Sequence, residues 1–287
     1  MTNVLPENAE SQRAWDGVLF DRFLHFKHLI VGGLVPFGAV AMSRFPPPVG
    51  ARVVDLGCGF GDSTLALAEL VGPSGSALGV DIAPRFVEAA RGEARGVPNV
   101  RFEVMDVQAT AFDETFDYAF ARFGTMFFAN PVAAFRNVRG ALAPNGLFVS
   151  VVWRNKRDNP WMHLAEEIVK PLVPEPEETD EARCGPGPFS QANADTVTAQ
   201  LKSAGFDEIS LLRVDLPLKI GTTLDEAVEF NLALGPAAEA VRLAGDEGAA
   251  MRPKLAALLR EPLAQFVTDD GVYGPGSVWI VTARAAE

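Results

Sequence analysis

Between residues 48 and 153 the chain alternates short apolar runs with longer segments whose apolar residues recur every three or four positions. Such runs are typical of buried parallel strands, and the periodic segments are typical of the helices that cover them. Strands are predicted over 52–56, 77–80, 100–104, 116–120 and 147–153. Because strands that alternate with helices in this order form βαβ units, we predict a parallel sheet with helices on both faces.

The flanking segments follow other patterns. From residue 15 to residue 42 apolar residues lie at helical spacing, and several glycines around Pro36 predict a break into two helices. Late in the chain, strands are predicted over 209–216 and 278–283, with mainly helical sequence between them. These two strands fit an antiparallel hairpin at the end of the sheet. The predicted fold is therefore α/β, with a doubly wound, mostly parallel seven-stranded sheet.

The same pattern divides the chain into four expected parts. A helical N-terminal lid is expected at 1–47, ending at a proline-rich boundary, and the sheet core at 48–153. A cap segment rich in Pro, Glu and Gly is expected at 154–195. Residues 196–287 are expected to complete the sheet and to carry an inserted helical cap at 221–276.

Composition and charge narrow the classes of function. Hydrophobic residues make up 48% of the 287 residues, enough for a large core, and the formal net charge is −12. Such a surface repels phosphate backbones and anionic lipid, so neither a nucleic-acid partner nor a membrane is expected. The early apolar stretch 29–42 is shorter than the ~20 residues of a membrane span, and the expected location is cytoplasmic. The oligomeric state stays open, with a homodimer as one arrangement.

The clearest motif is the run Asp55-Leu56-Gly57-Cys58-Gly59-Phe60-Gly61 at the end of the first predicted strand. Glycines there can adopt positive φ and let the backbone lie against a ligand, and the turn opens a helix. A carboxylate before the first glycine would repel a pyrophosphate and would favour an amine-bearing, cationic ligand. The lysine of a phosphate-binding P-loop is missing after the glycines.

Two more carboxylates follow at the ends of the next two strands. Asp81 lies 20 residues after Gly61, at the position of a carboxylate that binds ribose hydroxyl groups. Asp106 ends the third strand, where it could accept a hydrogen bond from an adenine amine. Together with Asp55 they place an acidic group at three successive strand ends, which argues against an ordinary solvated loop.

In this motif the sequence resembles class I S-adenosylmethionine-dependent methyltransferases. The resemblance covers about 48–153 and includes the glycine motif, Asp81, Asp106 and the segment 116–124. The segments 122–131, 159–161 and 187–189 are similar to a bacterial branch of ubiquinone/menaquinone-type small-molecule methyltransferases. The resemblance implies a Rossmann-like fold with a helical lid and helical cap insertions. It also implies S-adenosylmethionine as methyl donor, S-adenosylhomocysteine as product and a small-molecule acceptor.

The resemblance further implies roles for single residues. Asp55 would hold the methionine ammonium, Asp81 both ribose hydroxyls, and Asp106 the adenine edge. Further contacts to the donor, through backbone or packing, are expected from Gly57, Cys58, Gly59, Ile82, Val107 and Ala121. The region of Arg122 would line the sulfonium end. The Asn/Asp-Pro-Pro-Tyr/Phe run of many amino-methylating enzymes is missing after the fourth strand.

Candidate catalytic residues are few. Methyl transfer from a sulfonium is an in-line displacement, which needs alignment, exclusion of water and, for a hydroxyl or an acidic carbon, a general base. The histidines His25, His28 and His163 are the candidates for the base, with His25 and His28 expected on one helical face. Arg122 could pair with an anionic substrate. Ordinary surface or structural roles remain the alternative for all four, and no metal site is expected because no third ligand is evident.

Aromatic residues point to the type of acceptor. Five of them fall near the expected pocket mouth: Phe123, Phe127, Phe128, Trp153 and Trp161. They would form an apolar wall that selects an aromatic or apolar acceptor, unless they are ordinary core residues. Two other functions stay open: an NAD(P)-dependent oxidoreductase, and a non-catalytic S-adenosylmethionine-binding protein. The oxidoreductase is disfavoured because neither a Gly-x-Gly-x-x-Gly motif nor a Tyr-x-x-x-Lys pair is found.

Overall fold

The computed structural model describes residues 4–174 and 182–286. Its helices are α1 (Pro6–Ala14), α2 (Phe20–His25), α3 (Lys27–Arg44), α4 (Asp62–Val71), α5 (Pro84–Glu93), α6 (Pro131–Ala141), α7 (Pro160–Val169), α8 (Ala194–Ser203), α9 (Leu224–Ala233), α10 (Pro236–Leu243) and α11 (Gly245–Ala264). Its strands are β1 (Arg52–Leu56), β2 (Ser76–Asp81), β3 (Val100–Val104), β4 (Phe116–Arg122), β5 (Leu142–Trp153), β6 (Phe206–Gly221), β7 (Val267–Thr268) and β8 (Gly271–Ala285).

The strands form one sheet in the order β3-β2-β1-β4-β5-β8-β6. The first five strands run parallel, and β8 pairs antiparallel with both β5 and β6. The two-residue strand β7 pairs only with β8 and makes the eighth strand. This confirms the predicted doubly wound, mostly parallel α/β fold, with one short strand more than the predicted seven.

The order reverses between β1 and β4, so the carboxyl ends of these strands flank a crevice, the place where open α/β sheets bind ligands. Both strands are buried on both faces. Leu56 and Phe120 are fully buried, and Tyr118 donates its hydroxyl group to the carbonyl of Phe45 at 2.9 Å. This tight core holds the strand ends, and the side chains that follow them, in fixed positions.

The N-terminal segment differs from the prediction. The expected break around Pro36 is absent, because α3 runs on from Lys27 to Arg44. The chain bends instead at Phe26, so that His25 ends α2 while His28 lies in α3. The two histidines therefore do not share one helical face, as the spacing had suggested. Packing of α3 against β6 and β5 stabilises the helix despite its glycines.

The C-terminal strands are longer than predicted. Strand β6 pairs with β8 over nearly its whole length, from Phe206 opposite Ala285 to Gly221 opposite Val272. The predicted starts at residues 209 and 278 were both too late. Gly274 is paired within the strand, opposite Leu218. A side chain at this position would overlap the indole ring of Trp161, so the glycine makes room for α7.

The four-part division stays a prediction. Residues 1–3, 175–181 and 287, which belong to its lid, cap segment and last part, lie outside the described residues. Among the described helices, none is by itself long and apolar enough to cross a membrane. The pair Asn8–His25 and Lys27–Arg44 meets that test of length and composition only when both are counted together, across a bend of 88°.

Candidate active site

A cavity of about 750 Å³ opens at the carboxyl ends of the parallel strands. Its floor is formed by the turns after β1, β2, β3 and β4, and its roof by residues of α1, α2 and α3. The chain at 183–190 and helices α9 and α10 close one side. This volume lies within the range of small-molecule and cofactor pockets.

The glycine loop (residues 57–61) forms the centre of the floor. Gly57, Gly59 and Gly61 all have positive φ, of 67°, 54° and 84°. The loop uses its amide N–H groups within the protein: those of Gly57 and Cys58 donate to the Val80 carbonyl at 2.8 and 3.0 Å. The N–H of Gly59 donates to Asp81 Oδ2 at 3.0 Å. Because these three donors are occupied, they are not available to the phosphate oxygens of a pyrophosphate.

Within the loop, Gly61 is required by close packing. A Cβ at Gly61 would lie 2.7 Å from Phe102 Cζ and 2.9 Å from Ala90 Cβ. We expect Gly61→Ala to lower the free energy of unfolding by about 2–5 kcal/mol, because left-handed backbone and overpacking both add a cost. Gly59→Ala is the matched control, since Gly59 has positive φ but open space around it, and should cost about 1–2 kcal/mol. Urea unfolding measures both, and equal losses would contradict the packing argument.

Asp55 lies beneath the loop and is 1% exposed. Its Oδ2 accepts hydrogen bonds from the hydroxyl groups of Ser63 at 2.6 Å and Thr64 at 2.7 Å, while its Oδ1 is buried without a partner. Burial raises the pKa of Asp55 to about 6, although both hydroxyl groups lower it. It does not itself line the cavity, so it can act on a bound cation only through the loop or through water.

This burial has a measurable consequence for stability. Since the pKa of Asp55 is higher in the folded than in the unfolded protein, the folded state binds more protons, and the free energy of unfolding falls as pH rises from about 4 to 6. Asp55→Asn cannot ionise. We expect its free energy of unfolding, relative to that of the unchanged protein, to rise by about 1 kcal/mol between pH 5 and pH 7. Denaturant titrations at both pH values test this, and a constant difference would contradict it.

Asp81 ends β2 and lines the cavity beside the loop. Its Oδ2 accepts from the Gly59 N–H and its Oδ1 from the Ala83 N–H, both at 3.0 Å. Burial raises the pKa of Asp81, while these backbone donors lower it. Each oxygen keeps a second lone pair, so the fixed carboxylate can still accept from two hydroxyl groups of a ligand. Ile82, the next residue, also lines the cavity.

Asp106 follows β3, is 2% exposed and is held by the N-terminal segment. Its Oδ2 accepts from the side-chain amide of Asn8 at 2.8 Å and from the Leu5 N–H at 3.1 Å, and its Oδ1 from the Gln108 N–H at 3.0 Å. The amide group of Asn8 thus occupies part of the acceptor that the sequence assigned to an adenine amine. Val107, the other residue expected at the adenine edge, lines the cavity as well.

Helix α1 and the segment Trp15–Leu19 that follows it are fastened over the cavity by further polar contacts. Gln12 donates to the Ile82 carbonyl at 2.9 Å, and the Asp16 carboxylate accepts from the Arg85 N–H at the start of α5 at 2.7 Å. The indole N–H of Trp15 donates to the Cys184 carbonyl at 3.0 Å. Sequence reasoning placed a lid here but missed these residues, because none of them belongs to a recognisable motif.

The candidate catalytic residues separate into two groups. None of the three histidines lines the cavity: His25 is exposed, His28 pairs with Glu226 at 2.9 Å, and His163 lies 3.4 Å from Glu167. The role of a histidine as general base therefore stays a prediction, and the positions of the three side chains outside the cavity do not support it. Arg122 does line the cavity, where it pairs with Asp62, whereas its neighbour Ala121 is fully buried in the sheet. Among the described residues, no cluster of three potential ligands suits a metal ion.

The rest of the lining is largely aromatic. All five aromatic residues singled out in the sequence face the cavity: Phe123, Phe127, Phe128, Trp153 and Trp161. Phe123 has a φ of 60° and stacks on Trp153 with ring centroids 4.4 Å apart, which fixes that end of the wall. Trp15, which follows α1, packs edge-on against Phe127 with ring centroids 4.8 Å apart. One side of the cavity can therefore surround a flat apolar molecule while the loop side is polar.

These features define an α/β protein with a crevice at the carboxyl ends of its parallel strands, where three of the strand ends carry carboxylates. Residues 48–182 match the sequence model of a family described as a methyltransferase domain. The chain is 34% identical over 134 residues to an aklanonic acid methyltransferase of Streptomyces sp. (strain C5), covering 45% of this chain and 61% of that protein. It is 31% identical over 101 residues to a demethylmenaquinone methyltransferase of Staphylococcus aureus, covering 35% and 42%.

Among solved structures, phosphoethanolamine N-methyltransferase 2 of Haemonchus contortus in complex with S-adenosylmethionine is similar in fold. The TM-score is 0.57 at 15% identity, and the match covers 99% of this chain and 61% of that one. These matches confirm the predicted resemblance to S-adenosylmethionine-dependent methyltransferases, which lies mainly in residues 48–182. The chain spans less than two thirds of the length of either curated relative.

Proposed function

We propose that the protein transfers a methyl group from S-adenosylmethionine to a small, apolar or aromatic acceptor. The observation that carries the proposal is the glycine loop. Its N–H groups are used within the protein, and the carboxylates of Asp55, Asp81 and Asp106 lie around it. A negatively charged surround with occupied N–H donors favours a cationic nucleoside over a dinucleotide with a pyrophosphate.

The residues present fit S-adenosylmethionine. Asp81 offers lone pairs to the ribose hydroxyls, and Ile82 and Val107 offer apolar surface to the adenine. Asp106 lines the same cavity and offers a carboxylate to the adenine amine, and the unpartnered Asp55 Oδ1 adds negative potential beneath the loop. When bound, S-adenosylmethionine supplies a methyl group already activated by the positive sulfur. What the chain must provide is alignment of the acceptor and exclusion of water.

The acceptor is assigned from the aromatic half of the cavity. The stacked pair Phe123–Trp153 and the pair Trp161–Phe230, whose ring centroids lie 6.0 Å apart, frame apolar space next to the loop. The matched relatives are named for acting on aklanonic acid and on demethylmenaquinone. Both the lining and these names support an acceptor with an apolar ring system. A homodimer, as one possible arrangement, and the cytoplasmic location stay predictions.

Two measurements test the proposal. Calorimetric titration should show binding of S-adenosylmethionine and S-adenosylhomocysteine but not of NAD or NADP, which are the ligands of the oxidoreductase alternative. Formation of S-adenosylhomocysteine with a panel of phenols, quinols, aromatic acids, thiols and amines should then identify an acceptor. Tight binding of NAD in place of the methyl donor would contradict the proposal. Donor binding with no turnover on any acceptor class would favour the non-catalytic alternative.

A further inference from the structure

Arg122 is a buried cation beside the glycine loop. It ends β4, lines the cavity, and its side chain is 10% exposed. Its Nη1 pairs with Asp62 Oδ2, in the first turn of α4, at 2.7 Å. On the side of α3 the packing is tight, because a Cβ at Gly38 would lie 3.1 Å from Arg122 Cδ. The guanidinium group is therefore held in place from two sides.

The hydrogen-bonding capacity of Arg122 is not used up. A guanidinium group has five N–H donors, and the contact with Asp62 engages one nitrogen. Its Nε is buried and has no hydrogen-bond partner. Because Arg122 lines the cavity and its contact with Asp62 engages one nitrogen, the guanidinium group can take a second acceptor from a bound ligand. A carboxylate is the anion that its planar fork fits best.

The surroundings favour one particular anion. Asp55, Asp62 and Asp81 lie near the loop, and a free anion such as phosphate would be repelled by them. An anion that carries its own ammonium group would not be repelled in this way. The carboxylates would stabilise the ammonium group of such a ligand, while Arg122 would stabilise its anionic group. The amino-acid end of S-adenosylmethionine is such a zwitterion, attached to the nucleoside that Asp81 is placed to bind.

Resting on the proposed function, we propose that Arg122 binds the α-carboxylate of the methyl donor and that Asp62 positions the guanidinium group. Asp62 acts through Arg122 by fixing its orientation. Arg122 is therefore a donor-binding residue that distinguishes ligands with a carboxylate from ligands without one.

Three ligands test this by calorimetry: S-adenosylhomocysteine, its decarboxylated analogue, and 5′-methylthioadenosine, which lacks the whole amino-acid end. For the unchanged protein we expect S-adenosylhomocysteine to bind at least tenfold more tightly than the decarboxylated analogue. Arg122→Met should weaken S-adenosylhomocysteine at least tenfold and change the affinity of the other two ligands less than twofold. Asp62→Asn should weaken S-adenosylhomocysteine by a smaller factor.

Arg154→Met is the matched control. Arg154 is 12% exposed, pairs with Asp158 at 3.4 Å and does not line the cavity, so its replacement should change none of the three affinities. Equal affinity of the unchanged protein for S-adenosylhomocysteine and its decarboxylated analogue would overturn the proposal without any variant having to fold. So would an equal loss for all three ligands in Arg122→Met. If the unchanged protein bound none of the three, the proposed function itself would be overturned.

Discussion

Asp81→Ala is expected to weaken binding of S-adenosylmethionine at least tenfold. The carboxylate is held by the Gly59 and Ala83 N–H groups and lines the cavity at the end of β2. On the proposed assignment, its removal would delete charge-assisted hydrogen bonds to the ribose hydroxyls, each worth about 1.5–3 kcal/mol. Calorimetry on the variant measures the loss, and circular dichroism with urea unfolding shows whether the fold is kept.

Two further variants are compared with Asp81→Ala. Asp81→Asn keeps the shape and an acceptor but not the charge, so its affinity should fall between that of Asp81→Ala and that of the unchanged protein. Asp207→Asn changes an exposed carboxylate outside the cavity and should leave binding as it is. A folded Asp81→Ala protein with unaltered affinity would overturn the ribose assignment.

Deletion of residues 1–12 is expected to lower turnover at least tenfold while the protein stays folded. This deletion removes Asn8 and Gln12, which fasten α1 to the floor, but little apolar core. Without the helix, water enters the site and the reacting groups are less well aligned. A longer deletion, through α3, would remove Phe37 and Ala41, which are fully buried, and would unfold the protein.

The control for this deletion is the chain without residues 1–4, which keeps Leu5 and the whole of α1. Its turnover should match that of the full chain. Production of S-adenosylhomocysteine with one fixed acceptor gives the comparison, and thermal unfolding gives the stability of both truncated forms. Full activity after deletion of residues 1–12 would show that α1 is not needed as a lid.

The glycine loop could be predicted because the residues that define it lie close together in the sequence. A strand, three glycines and a helix start lie within about ten residues, and Asp81 follows at a spacing that the βαβ unit itself sets. The fold class follows from the same repeating pattern, whereas the order of the strands comes from the structure. The structure adds that the loop N–H groups turn inwards, to Val80 and Asp81, which no spacing in the sequence reveals.

The contacts of α1 with the rest of the protein could not be predicted, because the residues that meet there lie far apart in the sequence. Asn8 meets Asp106 across 98 positions of sequence, and a single asparagine in a polar helix carries no signal of its partner. The break at Phe26 and the unbroken course of α3 also depend on tertiary packing. That packing overrides the local preference of glycine and Pro36. The histidines were chosen for their chemistry, and only the fold shows that their side chains lie outside the cavity.

The hydrogen bond between Asn8 and Asp106 connects α1 to the residue that is proposed to bind the adenine. On the proposed assignment of Asp106 to the adenine amine, the Asn8 amide occupies part of that acceptor, so entry and exit of donor and product would be coupled to movement of α1. We therefore expect association rates well below the diffusion limit, product escape that limits the steady-state rate, and a burst of methylated acceptor in the first turnover. Helix α1, which we expect to exclude water from the reaction, would then also limit the steady-state rate of turnover.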